Sequence, residues 1–203
     1  MKFRLTDSLA SAAAFALLGM MFLLAFFSML GDSLTFDELA HIPAGYSYLT
    51  LQDYRLNPEH PPLVKDVAAL PLLFLDLNFP TQHPTWTQNE EAAPWWFQFQ
   101  LGTEFLYRSG NEPREIILWS RIPMILLTIL LGWFLFFWAR KLAGNYVGLG
   151  VLTLFVFSPT FLAHGRLVTT DVGAALGAVL AIYFWLRFLE QPEMLHEHFQ
   201  RLR

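Results

Sequence analysis

The sequence predicts an all-α integral membrane protein with about four transmembrane helices and one large extracytoplasmic loop that contains short interfacial helices. Its 203 residues are 55% hydrophobic and only 15% charged, and 20 of them are phenylalanine, which is typical of membrane proteins. Several apolar runs are long enough to cross a hydrocarbon core of about 30 Å as helices. Between the first two runs, nine prolines divide residues 31–115 into short pieces.

Charge and cysteine content exclude several other classes of protein. The net charge is −4 and no long basic run is present, so nothing favours a nucleic-acid partner. The sequence contains no cysteine, which excludes disulfide bonds, a thiolate zinc site and a cysteine nucleophile.

The first predicted span is 9–30, an almost uninterrupted apolar run. A cleaved signal peptide is the alternative, but its apolar region would have about 7 to 15 residues. In the loop at 31–115, we expect a short helix over 36–51 and an extended segment at 57–62, because a residue before proline disfavours the α region. Residues 63–75 are apolar but too short to span, so they predict an interfacial or buried helix.

The aromatic residues between Trp86 and Tyr107 predict a segment at the level of the lipid headgroups. These aromatic residues are Trp86, Trp95, Trp96, Phe97, Phe99, Phe105 and Tyr107. The alternative is that this segment binds an acceptor molecule.

Three further spans are predicted at 116–138, at 147–162 with a break near Ser158-Pro159, and at 172–189. The fourth span follows a helix-start pattern at Thr169-Thr170-Asp171, and its small residues permit close packing between helices in lipid. The polar tail at 190–203 is expected in the cytoplasm. We interpret residues 1–203 as one membrane module.

The distribution of basic residues predicts the orientation of the chain. With four spans, the basic residues near the span ends fall on one side: Lys2, Arg4, Arg140, Lys141, Arg187, Arg201 and Arg203. The positive-inside rule therefore places the N-terminus in the cytoplasm. Two polar clusters then share the extracytoplasmic face: Asp37, Glu38, His60, Lys65, His164, Arg166 and Asp171.

Three motifs within these clusters resemble one known family. They are Asp37-Glu38 with His41 directly after the first span, His60-Pro61-Pro62-Leu63 with Lys65 in the loop, and the turn from His164 to Asp171. Together they resemble the protein O-mannosyltransferases and their bacterial relatives, within the multispanning glycosyltransferases called GT-C. Because such enzymes carry roughly a dozen spans, the chain is similar to their N-terminal portion. The resemblance implies a protein of the bacterial inner (plasma) membrane.

The resemblance implies that Asp37 is the base that removes a proton from the acceptor hydroxyl, a role that this kind of transfer requires. An aspartate ordinarily titrates near pH 3.9, so partial burial or a neighbouring charge such as Glu38 would have to make it more basic. The expected catalytic residues are therefore Asp37 and Glu38. Without the resemblance, an acidic N-terminal helix cap is the favoured interpretation of Asp37-Glu38.

Lys65 and Arg166 are candidates for contact with the phosphate of the lipid carrier, since both cations bind phosphate oxygens. The alternative role for each of them is to extend from the end of a span so that its charge reaches the lipid headgroups. Asp171 could position Arg166 or contact the acceptor, but it could also be only a helix cap. His60 and His164 complete the expected substrate-binding set.

Asp37, His41 and His60 could form a metal site, but their spacing is not diagnostic and hydrogen-bonding histidines are favoured. We therefore expect no metal and no cofactor.

The leading functional hypothesis is a glycosyltransferase, or its N-terminal part, that uses a polyprenyl-phosphate-linked sugar at the extracytoplasmic face. Its expected partners are membrane lipid, that donor, and a partner chain or further C-terminal helices. The alternative is a truncated, noncatalytic membrane subunit that binds lipid-linked sugar or a partner chain. A small transporter is disfavoured because no charged residue lies near the centre of a predicted span.

Overall fold

The computed structural model describes residues 5–87 and 95–190, and this part of the chain is helical without strands. The helices are α1 (Asp7–Met29), α2 (Glu38–Leu51), α3 (Pro62–Ala69), α4 (Pro84–Thr87), α5 (Phe97–Tyr107), α6 (Pro113–Ala143), α7 (Asn145–Val156), α8 (Pro159–His164) and α9 (Asp171–Leu189). A 3₁₀ helix, Leu70–Phe74, continues α3. The predicted all-α membrane class is confirmed.

Three of the described helices, α1, α6 and α9, are long and apolar enough to cross a membrane by length and composition. The predicted third span is divided into the 12-residue helix α7 and the short helix α8. The division falls at Ser158, whose backbone is extended because it precedes a proline. The part of the predicted tail after Glu190, and the basic residues Lys2, Arg4, Arg201 and Arg203, lie outside the described residues.

The membrane helices share one apolar core, in which α1, α6, α7 and α9 meet. Its buried residues include Leu18, Met21, Leu131, Leu152, Phe155 and Leu176. α6 is longer than predicted, because Glu112 accepts a hydrogen bond from the Arg114 amide and Pro113 occupies the first helical turn, a position that suits proline.

The loop between α1 and α6 has a core of its own, built around α2. Glycines allow two other helices to approach α2 closely. A Cβ atom at Gly45 would lie 2.1 Å from the Lys65 carbonyl oxygen in α3, and one at Gly102 in α5 would lie 1.8 Å from the Leu39 carbonyl oxygen. The loop is therefore a packed unit against one end of α6, with buried residues such as Ile42, Leu72, Phe105 and Ile116.

Two expectations for the loop are wrong in detail. Residues 57–62 are not extended: bends and a turn occupy 56–60, and Asn57 has a φ of 50°, because the chain curls around the Lys65 side chain. The aromatic segment does not lie entirely at the surface, since Trp86 and Phe105 are buried in the loop. The predicted helices at 36–51 and 63–75 are present as α2 and as α3 with its 3₁₀ extension.

Candidate functional site

A buried ion pair joins the start of α2 to α6. Glu38 and Arg121 are both fully buried, and Arg121 donates from Nε to Oε1 at 2.8 Å and from Nη2 to Oε2 at 2.6 Å. Oε2 also accepts from the Thr35 amide and hydroxyl at 2.8 and 2.9 Å. Oε1 accepts from the Val168 amide at 3.0 Å. One carboxylate therefore links three separate segments of the chain.

These contacts keep Glu38 ionised. Burial raises the pKa of the Glu38 carboxyl, but the hydrogen bonds and charge of Arg121, together with the two backbone amides, outweigh it and hold that pKa below its usual value. Because hydrogen bonds already occupy both oxygens, the geometry suits a positioning role for Glu38 rather than the catalytic role expected from the sequence.

Arg121 is the residue that the sequence interpretation missed. It is the sixth residue of the predicted second span, and a charge inside an apolar run signals a functional or structural partner. Its Nη2 also donates to the Ser33 carbonyl at 2.9 Å, so it fixes the segment between α1 and α2. What the sequence could not reveal is that its partner, Glu38, lies 83 residues away.

Asp37 lies beside this ion pair but points outward. It occupies the cap position of α2 without making a side-chain cap hydrogen bond, so the alternative of a simple helix cap is not supported by the geometry. The residue is exposed, so the partial burial expected from the sequence is wrong, and the neighbouring Glu38 charge is paired with Arg121. The Asp37 carboxylate has no hydrogen bond or ion pair within the described part of the chain. Its oxygens are therefore open to a ligand.

Two histidines connect the first two motifs. The buried His41 places Nδ1 2.8 Å from the Val168 carbonyl, and since a carbonyl only accepts, Nδ1 carries the proton. Burial lowers the pKa of His41 despite this hydrogen bond, so the ring is neutral at pH 7. Its edge meets the exposed His60 ring, with the two centroids 5.3 Å apart.

The alternative of a metal site at Asp37, His41 and His60 receives no support. No group of three or more potential ligands suited to a metal ion is found among the described residues.

Lys65 is enclosed rather than presented to a ligand. Its Nζ donates to the Asn57 and His60 carbonyls at 2.7 and 2.8 Å and to the Asn57 side chain at 3.1 Å, and it lies 2.9 Å from the Tyr48 hydroxyl. Burial lowers the pKa of Lys65 to about 8. The expected contact with a phosphate is therefore not available in this conformation, and the side chain instead organises the loop.

The turn between α8 and α9 holds the remaining predicted residues. Arg166 forms an ion pair with Asp32, while its Nε has no hydrogen-bond partner among the described residues. His164 and Asp171 are exposed and line one cavity of about 360 Å³ beside Phe161 and Val172. Asp171 accepts from the Thr169 hydroxyl at 3.0 Å.

The three motifs are adjacent in space. Val168 of the third motif contacts Glu38 through its amide and His41 through its carbonyl. His60 of the second motif contacts His41, and its carbonyl holds Lys65. The predicted convergence of the polar clusters is thus present as direct contacts.

Comparison with known proteins supports the resemblance stated from these motifs. Residues 117–196 match the family described as dolichyl-phosphate-mannose-protein mannosyltransferase. This range contains the third motif and Arg121, whereas the first two motifs precede it. No curated protein and no solved structure matches the chain.

Proposed function

We propose that this chain, whose C-terminal part matches the mannosyltransferase family, is a GT-C-type glycosyltransferase module. It transfers a sugar, with mannose favoured by the family description, from a polyprenyl-phosphate carrier to an acceptor hydroxyl. The observation that carries the proposal is the open carboxylate of Asp37. It is held next to a buried ion pair, at the end of the loop segment that follows α1.

In the proposed reaction, Asp37 accepts the proton of the acceptor hydroxyl while the acceptor oxygen forms a bond to C1 of the sugar. The bond between C1 and the phosphate oxygen breaks, and the electron pair leaves with the lipid phosphate. A base and stabilisation of the leaving group are what such a transfer needs. The proposal therefore uses no metal and no cofactor, and the lipid-linked sugar is a substrate.

Arg166 is the proposed contact for the lipid phosphate. Its pair with Asp32 fixes the guanidinium near the start of the loop, and the side chain keeps 14% of its surface exposed, where a phosphate can approach. A guanidinium presents several N–H donors and binds phosphate oxygens strongly. Lys65 supports the loop instead. His164 and Asp171 line the neighbouring cavity, which we propose holds part of the substrate.

We further propose that the loop lies on the extracytoplasmic side. Arg140 and Lys141 occupy the last turn of α6, and Arg187 that of α9, at the ends remote from the loop. The positive-inside rule places these ends in the cytoplasm. The membrane itself supplies the lipid-linked donor on the loop side.

The test is transfer of labelled mannose from polyprenyl-phosphate-mannose to serine- and threonine-containing peptides in proteoliposomes. Asp37→Asn should lower the rate about 10²- to 10⁴-fold, the usual contribution of a general base. Asp76→Asn is the matched control, because Asp76 is another exposed loop aspartate without a side-chain hydrogen bond, and it should leave the rate unchanged.

Unchanged transfer by a correctly inserted Asp37→Asn variant would remove Asp37 from the role of base. If the wild type binds the donor but transfers nothing, also when co-reconstituted with candidate partner chains, the noncatalytic subunit becomes the better description.

A further inference from the structure

Three aromatic side chains of the loop form one stacked surface, which we call the aromatic platform: Phe36, Phe99 and Trp95. The Phe36 and Phe99 rings stack with centroids 4.1 Å apart, and Trp95 meets Phe99 at 4.8 Å in an edge arrangement. Phe36 is 61% exposed and Trp95 63% exposed. Large aromatic rings held in a fixed arrangement and left open to solvent offer a binding surface.

A carboxylate fixes one edge of the platform. The Trp95 indole donates from Nε1 to Oε1 of Glu59 at 2.9 Å. The same oxygen accepts from Gln98 at 3.0 Å, and Gln98 in turn accepts from Asn57 at 2.9 Å. Because Asn57 also holds Lys65, the platform is anchored to the buried centre of the loop.

The platform adjoins the proposed base along the chain. Phe36 directly precedes Asp37, and both side chains are exposed. Glu59, which holds Trp95, directly precedes His60, whose ring meets that of His41 in the first turn of α2. The platform and Asp37 are therefore both connected to the start of α2.

Insertion into the membrane interface, expected from the aromatic content, explains this arrangement poorly. An interfacial tryptophan typically turns its indole N–H toward headgroups, whereas that of Trp95 is bound by a carboxylate. The surface better fits a neutral ligand that has an apolar face and several hydroxyl groups.

We propose that the aromatic platform binds the pyranose ring of the lipid-linked donor beside Asp37, an inference that rests on the proposed function. The C–H face of the sugar packs on Trp95 and Phe36. Its hydroxyl groups donate to the Glu59 carboxylate and meet the ring nitrogens of His60, which make no hydrogen bond within the described part of the chain. The platform thus holds C1 of the sugar near the base.

The test compares two lipids in nanodiscs by native mass spectrometry: polyprenyl-phosphate-mannose and polyprenyl phosphate without sugar. Trp95→Ala should weaken binding of the mannosylated lipid about five- to tenfold, the size of one aromatic contact, and leave binding of the bare lipid unchanged. Trp96→Ala is the matched control, since Trp96 is the exposed neighbour whose ring, among the described residues, meets that of Phe97 in an edge arrangement outside the platform, and it should bind both lipids like the wild type.

Phe36→Leu provides a second variant that keeps an apolar side chain but removes the ring, and it should weaken binding of the mannosylated lipid alone by about two- to fivefold. If Trp95→Ala and Phe36→Leu bound the mannosylated lipid as tightly as the wild type does, the platform would not be the sugar site. That result would leave the proposed function intact. If Trp95→Ala and Trp96→Ala reduced binding of the two lipids alike, membrane anchoring would replace the inference. Failure of the wild type to bind either lipid would instead reject the proposed function.

Discussion

The membrane helices and the loop between α1 and α6 place their apolar side chains differently. α1, α6 and α9 turn many large side chains outward, such as Phe15, Phe27 and Phe184, because lipid is as favourable for them as a protein core. The loop buries its apolar residues around α2 and also encloses charges, as at Lys65. Buried charges must find partners, so the loop, together with Arg121 of α6, depends on specific contacts and not on apolar burial alone.

The candidate site lies where these two regions meet. Arg121 reaches from α6 to Glu38, and the Thr128 hydroxyl of α6 donates to the Gly165 carbonyl at 2.6 Å. An exposed Asp37 is thereby fixed against a rigid membrane helix. Rigid support for a reacting group is what precise orientation requires.

The largest effect is expected from breaking the contact between the two regions with Arg121→Met. It leaves Glu38 buried without its cation, which typically costs about 3 to 5 kcal/mol. Thermal unfolding in detergent and limited proteolysis should show a destabilised loop. The double variant Glu38→Gln/Arg121→Met, which removes both charges, should recover part of the loss. Proteolysis of Arg121→Met at the wild-type rate would contradict the structural role of the pair.

The next effect concerns packing within the loop. Gly102→Ala would place a methyl group 1.8 Å from the Leu39 carbonyl, and the forced separation of α5 and α2 should cost about 2 to 3 kcal/mol. Gly177→Ala in α9 meets nothing within 4 Å and should leave the unfolding temperature unchanged or slightly raised. Equal effects of the two substitutions would show that the loop tolerates repacking as easily as a lipid-facing helix.

A smaller effect is expected at Lys65. Lys65→Met keeps the apolar stem but leaves the carbonyl groups of Asn57 and His60 without their donor, at a cost of about 1 to 3 kcal/mol. Lys141→Met is the control, because the contacts of the exposed Lys141 within the described residues are with Tyr183, whose hydroxyl lies 3.4 Å from Nζ and whose ring centroid lies 5.7 Å from it. A loss no larger in Lys65→Met than in this control would show that the enclosed ammonium does not organise the loop.

The same lysine gives the loop a pH dependence. Burial lowers the pKa of Lys65 to about 8 in the folded protein, whereas an unfolded lysine titrates near about 10.4. Between these values the unfolded chain binds more protons, so the free energy of unfolding gains a contribution that rises with pH. Chemical denaturation from pH 7 to pH 10 should show this rise in the wild type but not in Lys65→Met.

The sequence by itself determined the membrane class, the long helices α1, α6 and α9, and the positions of α2 and α3. These follow from apolar length and from proline spacing, which act over a few turns of the chain. It also identified the three motifs, and the distribution of basic residues predicted that they share one membrane face. The break at Ser158 was readable because proline constrains its neighbour locally.

Only the tertiary structure decided which polar residues are open and which are enclosed. Asp37 and Glu38 are neighbours in the sequence, yet one is exposed and the other is fully buried against Arg121. Lys65 looked available to a phosphate, but it is surrounded by oxygens from segments that fold back on it. Partners 83 residues apart in the chain leave no periodic signal, because burial and pairing of charges depend on packing in three dimensions.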